Sequence, residues 1–252
     1  MWYRIFKASI FRPLVRFGFR ARIIGAEKVP TGGGAILASN HIATMDSLVI
    51  PAMLPRKLTF PAKAELFSGK SPQARIIAWF LRAVGQVPMD RGGGRASAAS
   101  LQVITDVLAE GNVIGIYPEG TRSPDGRLYK GKTGIARMVL NNSVPVIPVG
   151  VVGTHSVRGL FGIPWVKRPI VMVGEPLDFS HLSERAGETK VQRWVTDEVM
   201  RAIQELTGQV YVDVYATRVK YGDLKGKGAD EFVVDRPGGG PVPELQGPAS
   251  GA

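Results

Sequence analysis

The sequence has no cysteine and only three histidines among its 252 residues. Without cysteine the chain can form no disulfide, no thiolate nucleophile and no cysteine-based metal site, and this usage fits a reducing compartment. The three histidines, His41, His155 and His181, are too scattered along the chain to indicate a metal site. The remaining candidates for chemistry are single histidines, carboxylates and hydroxyl groups.

Acidic residues are also in short supply, because 21 aspartates and glutamates stand against 32 lysines and arginines, which gives a formal net charge of +11. A basic surface of this kind attracts nucleic acid, anionic membranes or phosphorylated substrates. The main part of the chain has no nucleic-acid motif and no basic run interleaved with stacking aromatic residues. The charge therefore predicts an anionic membrane surface or a phosphorylated substrate as the partner, and no nucleic acid.

Long apolar runs are missing as well, so the sequence predicts no membrane-spanning helix. Residues 1–22 hold six basic residues and no acidic one, and they lack the apolar core and cleavage site of a signal peptide. On a helix over residues 1–12 the apolar Trp2, Ile5, Phe6 and Ile10 share one arc, opposite Arg4, Lys7 and Arg12. This pattern predicts a membrane-interfacial helix over residues 1–17. The alternative is a helix packed on the protein's own core.

The rest of the chain is predicted to form one α/β domain over residues 18–220 and a disordered tail over residues 221–252. The tail is rich in glycine, proline and charge. Apolar alternation predicts a strand over residues 17–23, and short apolar runs predict buried strands at 35–38, 113–116 and 144–150. Longer periodic segments predict helices at 96–110 and 191–206.

A histidine and an aspartate lie five positions apart in residues 39–46, SNHIATMD, directly after the first of these buried strands. On one regular helix such positions point about 140° apart, given ~100° per residue. The side chains therefore meet only if His41 lies in the turn and Asp46 reaches back from the next helix. The carboxylate then fixes the imidazole tautomer and leaves the other ring nitrogen free as a base. The alternative is a turn histidine beside a capping aspartate.

A second motif, EGTRS at residues 119–123, follows the buried strand 113–116. Together the two motifs resemble the glycerolipid acyltransferase family, specifically the 1-acylglycerol-3-phosphate acyltransferases, which carry Asn-His-x4-Asp followed by Glu-Gly-Thr-Arg-Ser. Residues 85–91 resemble the family's second block more loosely, and residues 144–150 resemble its fourth. The resemblance extends over roughly residues 20–175.

The resemblance implies an α/β fold with a mixed, largely parallel sheet flanked by helices, and no metal. It implies a coenzyme A or acyl-carrier-protein thioester as donor and the 2-hydroxyl of 1-acylglycerol 3-phosphate, a lysophospholipid, as acceptor. The product is phosphatidic acid, with His41 as base and Asp46 as its partner. Because acceptor and product are lipids, residues 1–17 are predicted to hold the protein on the cytoplasmic face of the cell membrane, peripherally or monotopically.

An anionic acceptor requires cations near the base. Arg122 and Arg91 each follow a predicted strand, and an arginine can bind a phosphate through two parallel hydrogen bonds. Lys63 is a third candidate, and its alternative is a solvated lysine at a strand end. All three are predicted to bind the acceptor's phosphate.

The rest of the predicted substrate-binding set lies in the second motif. The family's pattern implies that Glu119 contacts a glycerol hydroxyl, and Gly120 lets the backbone approach closely. Thr121 completes this set beside Arg122. The alternative for residues 119–122 is a structural turn with an internal ion pair.

Two other patterns compete for attention. Ser39 and Ser47 flank the pair, but no G-x-S-x-G elbow occurs, so a serine nucleophile is unsupported. Residues 126–133 match the phosphate loop G-x4-G-K-[ST], yet they follow a polar turn and not a buried strand, which favours a basic loop entering a helix. Two other functions stay open: acyl transfer to another lysophospholipid or a glycolipid, and membrane binding without catalysis.

Overall fold

A computed structural model describes residues 5–69, 71–83, 86–89, 95–158 and 164–238. The strands are β1 Arg22–Ile24, β2 Ala35–Ser39, β3 Leu58–Thr59, β4 Pro61–Lys63, β5 Val87–Met89, β6 Val113–Ile116, β7 Leu128–Tyr129, β8 Val146–Val152, β9 Val157–Arg158, β10 Pro164–Trp165, β11 Ile170–Val173, β12 Tyr211–Val212 and β13 Val233–Val234. The α-helices are α1 Asp46–Met53, α2 Glu65–Ser68, α3 Pro72–Ala83, α4 Arg95–Ala109, α5 Gly134–Asn142, α6 Thr189–Thr207 and α7 Ala216–Tyr221. Two π-helical segments, Lys7–Phe11 and Leu14–Gly18, precede β1.

The main sheet has six strands in the order β1-β11-β8-β2-β6-β3. Strands β8, β2, β6 and β3 run parallel to one another. Strand β11 is antiparallel to β8, and β1 is parallel to β11. The predicted α/β fold with a mixed, largely parallel sheet is confirmed.

Helices cover both faces of this sheet, as the short continuous apolar strands require. All five residues of β2 are buried. Its Leu37 packs in a cluster with Val49 and Ile50 of α1, whereas Ile36 packs on the opposite face with side chains of α4, α5 and α6. Successive residues of one strand therefore enter two separate apolar layers, and β2 lies at the centre of the molecule.

The parallel arrangement brings three chain segments to one edge of the sheet. Ala38 pairs with Ile116 of β6 and with Pro148 of β8, so β2 and β6 end close together while β8 continues to Val152 beside them. The residues that follow them are 40–46, 117–123 and 153–155. Side chains carried by these three loops meet beyond the carboxyl ends of the strands, where α/β proteins place their ligands.

The start of the domain differs from the predicted strand at residues 17–23. The chain is helical from residue 5 to Gly18, with the amide of Phe19 donating to the carbonyl of Leu14, and β1 begins only at Arg22. Alternating burial of Phe19 and Ala21 has another cause, since both side chains enter the core around α1. The apolar alternation therefore reflected packing at a helix end and not an extended chain.

The N-terminal helical segment, residues 5–18, combines a packed side with an exposed one. Val15 is fully buried, and Lys7, predicted to face lipid headgroups, instead donates from Nζ to the carbonyl of Leu54 at 2.6 Å. Burial, followed by the charge of Arg12, lowers the pKa of Lys7 to about 8. Lys7 thus binds the carboxyl end of α1, where unpaired carbonyl groups favour a cation. No helix in the described part of the chain is long and apolar enough to cross a bilayer.

The C-terminal segment, residues 208–238, overturns part of the predicted disordered tail. Strand β12 pairs with β7 and β13 to form a separate three-stranded sheet. Leu224 and Ala229 are buried against Tyr129 and Val214. Average composition favoured disorder, but a few apolar side chains suffice to fold these turns onto a preformed surface. Residues 239–252 lie outside the described part of the chain.

Candidate active site

His41 and Asp46 meet in the geometry that their spacing demands. His41 lies in the turn after β2, and Asp46 is the first residue of α1. The Nδ1 atom of His41 is 2.8 Å from Oδ2 of Asp46. About 15% of the histidine side chain is exposed, whereas the aspartate is fully buried. Among the described residues none is recorded as a hydrogen-bond partner of Nε2, so that nitrogen is open to a substrate.

Asp46 is held from several directions. Its Oδ2 atom also accepts the backbone N–H groups of Ile42 at 2.7 Å and Ala43 at 2.9 Å. Its Oδ1 atom accepts the hydroxyl of the buried Thr154, in the loop after β8. The carboxylate is therefore fixed in place and can stabilise an imidazolium on His41.

Asn40 anchors the turn to the sheet. Its side chain, fully buried, donates to the carbonyl of Val151 at 2.9 Å and accepts the amide of the same residue at 2.8 Å. It also donates to the side-chain oxygen of Gln209 at 2.8 Å. Beyond the end of β2, the Asn40 side chain thus takes the place of a strand's backbone and hydrogen-bonds β8. Gln209 and Thr154 carry no motif signal, and sequence reasoning missed both.

Glu119 links the two motifs from inside the protein. It is buried, and its two oxygens accept the amides of His41 at 2.9 Å and Tyr129 at 3.0 Å. Burial raises its pKa to about 8, although the two amide hydrogen bonds act in the opposite direction. These two contacts hold neighbouring loops together, and the predicted contact of Glu119 with a glycerol hydroxyl stays a prediction. No carboxylate–cation pair forms within residues 119–122 among the described contacts, so the turn is held by backbone hydrogen bonds.

Gly120 and Arg122 shape the outer side of this turn. Gly120 adopts a φ of +72°, which favours glycine, and an added Cβ would lie 3.2 Å from Nζ of Lys132. The exposed Arg122 donates from Nη1 to Oγ1 of Thr44 at 2.6 Å. Thr44 lies between His41 and Asp46 in the chain. The Arg122 guanidinium is therefore fixed to the loop that carries the pair, and its phosphate-binding role stays a prediction. Thr121 lies between Gly120 and Arg122 in the chain.

An aromatic stack supports the imidazole. The ring of Tyr117 stacks on that of His41 with centroids 3.9 Å apart, and Phe60 stacks on the far side of Tyr117 at 5.3 Å. Burial raises the pKa of Tyr117, so this ring stays neutral. The tyrosine hydroxyl lies 3.2 Å from Oγ of Ser47. Sequence reasoning missed Tyr117, although its position two residues before Glu119 offered a signal.

Two predicted phosphate ligands are not located by the structure. Lys63 is the last residue of β4, which pairs with β5, but its side chain is outside the described part. Arg91 lies outside the described residues altogether. Their predicted roles stay untested.

The segment resembling a phosphate loop has no cradle of free amides. The amide of Gly126 donates to Oγ of Ser123 at 2.9 Å, and the amide of Lys132 donates to the carbonyl of Pro118 at 2.9 Å. Between them, Leu128 and Tyr129 form β7 and pair with β12. This segment instead holds the second motif against the C-terminal segment.

Comparisons with known proteins identify the family. A family model described as Acyltransferase matches residues 20–152. The chain is 30% identical over 185 residues to the 1-acyl-sn-glycerol-3-phosphate acyltransferase of Bacillus subtilis, a match that spans 71% of this chain and 86% of that protein. It is 30% identical over 139 residues to the protein of the same name from Borreliella burgdorferi, which spans 55% of this chain and 54% of that protein.

A solved structure has the same fold. The crystal structure of the 1-acyl-sn-glycerophosphate (LPA) acyltransferase PlsC from Thermotoga maritima superposes with a TM-score of 0.56 at 25% sequence identity. The superposition covers 79% of this chain and 80% of that one. The family match spans just over half of the chain and contains both motifs with the strands that carry them. The chain therefore belongs to the acyltransferase family and is an O-acyltransferase.

Proposed function

We propose that this enzyme transfers a fatty acyl group to the 2-hydroxyl of 1-acyl-sn-glycerol 3-phosphate, giving phosphatidic acid for phospholipid biosynthesis. The donor is a coenzyme A or acyl-carrier-protein thioester. The observation that carries the proposal is the contact between His41 Nδ1 and the buried Asp46, with Arg122 of the second motif bonded to Thr44 in the same loop. The names of the relatives from Bacillus subtilis and Thermotoga maritima support the acceptor.

The reaction follows from this geometry without a covalent enzyme intermediate. Nε2 of His41 takes the proton of the acceptor hydroxyl as its oxygen attacks the thioester carbonyl carbon. The tetrahedral intermediate then expels the thiolate, which takes the proton back from the imidazolium. Asp46 stabilises the imidazolium between these two steps. A positioned base of this kind contributes about 10²–10⁴ in rate.

The acceptor's phosphate is bound by Arg122, together with the predicted ligands Arg91 and Lys63. Support comes from the hydrogen bond between Arg122 and Thr44, which keeps the guanidinium beside the base. Arginine suits this role because its planar group matches two phosphate oxygens at once. Another lysophospholipid or a glycolipid is the alternative acceptor, since the same pair would activate any such hydroxyl.

Membrane attachment is peripheral and on the cytoplasmic side in this proposal. The N-terminal helical segment exposes large apolar side chains, namely Ile5, Ile10, Leu14 and Phe17. Exposed arginines, Arg12 and Arg16, lie among them, and the first acidic residue of the chain is Glu27. Apolar and basic side chains on one segment favour an anionic lipid surface.

The test is acyl transfer by purified protein, with one acyl-CoA or acyl-carrier protein and a panel of lysophospholipid and glycolipid acceptors. We expect 1-acylglycerol 3-phosphate to give the highest kcat/KM, and His41→Ala to reduce kcat by roughly 10²–10⁴. His181→Ala is the matched control, because His181 is an exposed histidine in the turn Ser180–Arg185. Retention of more than about a tenth of the activity by His41→Ala would contradict the base assignment. A different best acceptor would replace the proposed substrate.

A further inference from the structure

The C-terminal segment brings a lysine to the second motif. Lys220 of α7 donates from Nζ to the backbone carbonyl of Arg122 at 2.9 Å and to Oγ1 of Thr121 at 3.4 Å. The ammonium also lies 5.7 Å from the ring centre of Tyr221. This lysine lies beyond residues 20–152, where the family model matches. Its position next to the motif is therefore a property that the family match does not include.

The segment that carries Lys220 is packed against the loop that carries the motif. The amide of Lys130 donates to the carbonyl of Val212 at 3.1 Å, next to the pairing of β7 with β12. Arg127 reaches from the same loop to Asp230 at 2.7 Å. Lys220 thus belongs to a segment that is hydrogen-bonded to the loop carrying the motif.

The cations at this turn differ from neighbouring basic side chains in whether they have a carboxylate partner. Other basic side chains of the two segments are paired with carboxylates, namely Arg127 with Asp125, Lys130 with Asp213 and Arg218 with Asp223. Among the described residues, no carboxylate lies within ion-pair distance of Arg122, Lys132 or Lys220. Lys132 and Lys220 therefore border the turn 119–122, to which Arg122 belongs. Three cations with no carboxylate partner in the described part of the chain favour an anionic ligand.

We propose that Lys220 is a specificity-determining residue that binds the acceptor's phosphate together with Arg122. This inference rests on the proposed function. An ammonium has three N–H donors, and two of them are used by the oxygens of Arg122 and Thr121, which leaves one for a phosphate oxygen. A phosphate monoester carries about −1.5 to −2 at neutral pH, whereas a phosphodiester carries a single charge. An additional cation therefore favours a lysophospholipid with a terminal phosphate over one with a substituted phosphate.

The kinetic test compares Lys220→Met with Lys225→Met. Both changes remove one positive charge from the same segment, but Lys225 is exposed and its side chain has no recorded contact with the motif. We expect Lys220→Met to raise the KM for 1-acylglycerol 3-phosphate about ten-fold, with kcat and the KM for the thioester changed less than about two-fold. Lys220→Arg should restore most of the affinity. The preference for this acceptor over 1-acylglycerophosphocholine should fall by a similar factor.

A second measurement uses the unmodified protein and needs no turnover. Acetylation of lysines by an amine-reactive reagent is followed by mass spectrometry, with and without a soluble short-chain 1-acylglycerol 3-phosphate. We expect selective protection of Lys220 and none of Lys225. Protection without acyl transfer to this acceptor would reject the proposed function and keep the phosphate site. Transfer with unprotected Lys220 and an unchanged KM in Lys220→Met would reject the role of Lys220 alone.

Discussion

At the scale of single residues, the hydroxyl of Thr154 completes the hydrogen bonding of the carboxylate behind His41. Thr154 is fully buried and donates to the oxygen of Asp46 that His41 does not use. Thr154→Val keeps the shape of the side chain and removes the donor. An unsatisfied buried acceptor costs about 1–3 kcal/mol. We therefore expect kcat to fall about ten-fold or more, with both KM values nearly unchanged, in steady-state assays.

The conservative variant Thr154→Ser separates positioning from packing. Serine restores the donor while leaving out the methyl group, so kcat should return to within about three-fold of that of the unmodified enzyme, even if some stability is lost. Thermal unfolding of both variants provides the control for folding. A loss of kcat in Thr154→Ser with nearly unchanged kcat in Thr154→Val would show that the methyl group, and not the hydrogen bond, is what matters.

At the scale of secondary-structure elements, Glu119 connects the loops after β2 and β6. Its protonation makes the free energy of unfolding depend on pH. Its pKa is raised by burial from 4.5 to about 8. Below pH 4.5 the folded and unfolded chains both hold the proton. Between pH 4.5 and 8 only the folded chain holds it, so this group lowers the free energy of unfolding progressively as pH rises.

Glu119→Gln tests this contribution of Glu119 to stability. Glutamine has one carbonyl oxygen to accept one of the two backbone N–H groups, and its side-chain NH2 then faces the other N–H. The lost hydrogen bond costs about 1–3 kcal/mol. We expect the Tm of the variant at pH 5 to lie about 5 °C below that of the unmodified protein. This difference in Tm should shrink by pH 8.5, because the unmodified protein has then lost the stability contributed by its protonated carboxyl group. Glu184→Gln, at an exposed position, is the control. A deficit that stays constant or grows with pH would contradict the raised pKa.

The loops that meet at this edge show how far the sequence alone leads. Parallel buried strands predict that the residues after them converge, so the meeting of His41, Asp46 and the second motif was predictable. The spacing does not reveal which way a carboxylate turns. In the structure Glu119 accepts two backbone amides, and its predicted contact with a glycerol hydroxyl stays a prediction. Thr154 and Gln209 lie 108 and 169 residues from the groups they contact. Their roles depend on tertiary pairing that no local pattern records.

At the scale of the whole molecule, the C-terminal segment is part of the site and not an appendage. It supplies Gln209 to Asn40 of the first motif and Lys220 to Arg122 of the second. Composition predicted disorder from residue 221 because glycine and charge dominate there. Leu224 and Ala229 are buried nonetheless, since a three-stranded sheet with β7 offers them a surface. A truncation before residue 208 would therefore remove contacts to both motifs.

The proposed membrane attachment involves the whole molecule, because the proposed lipid acceptor has to enter from a bilayer. The packing of Val15 and Lys7 means that deleting the N-terminal helical segment would damage the fold, so exposed side chains are the better target.

Replacing Ile10, Leu14 and Phe17 by serine removes apolar groups that face solvent, the last of them 73% exposed. Each buried apolar side chain contributes about 1.5–3 kcal/mol when it enters an apolar environment fully, so sedimentation with anionic vesicles should weaken at least ten-fold while Tm stays unchanged. Serine at Val157, Val210 and Val233, exposed valines elsewhere, is the matched control. Because basic residues attract anionic headgroups, binding of the unmodified protein should also fall as salt is raised. Undiminished vesicle binding by the N-terminal triple variant would place the membrane contact on another face.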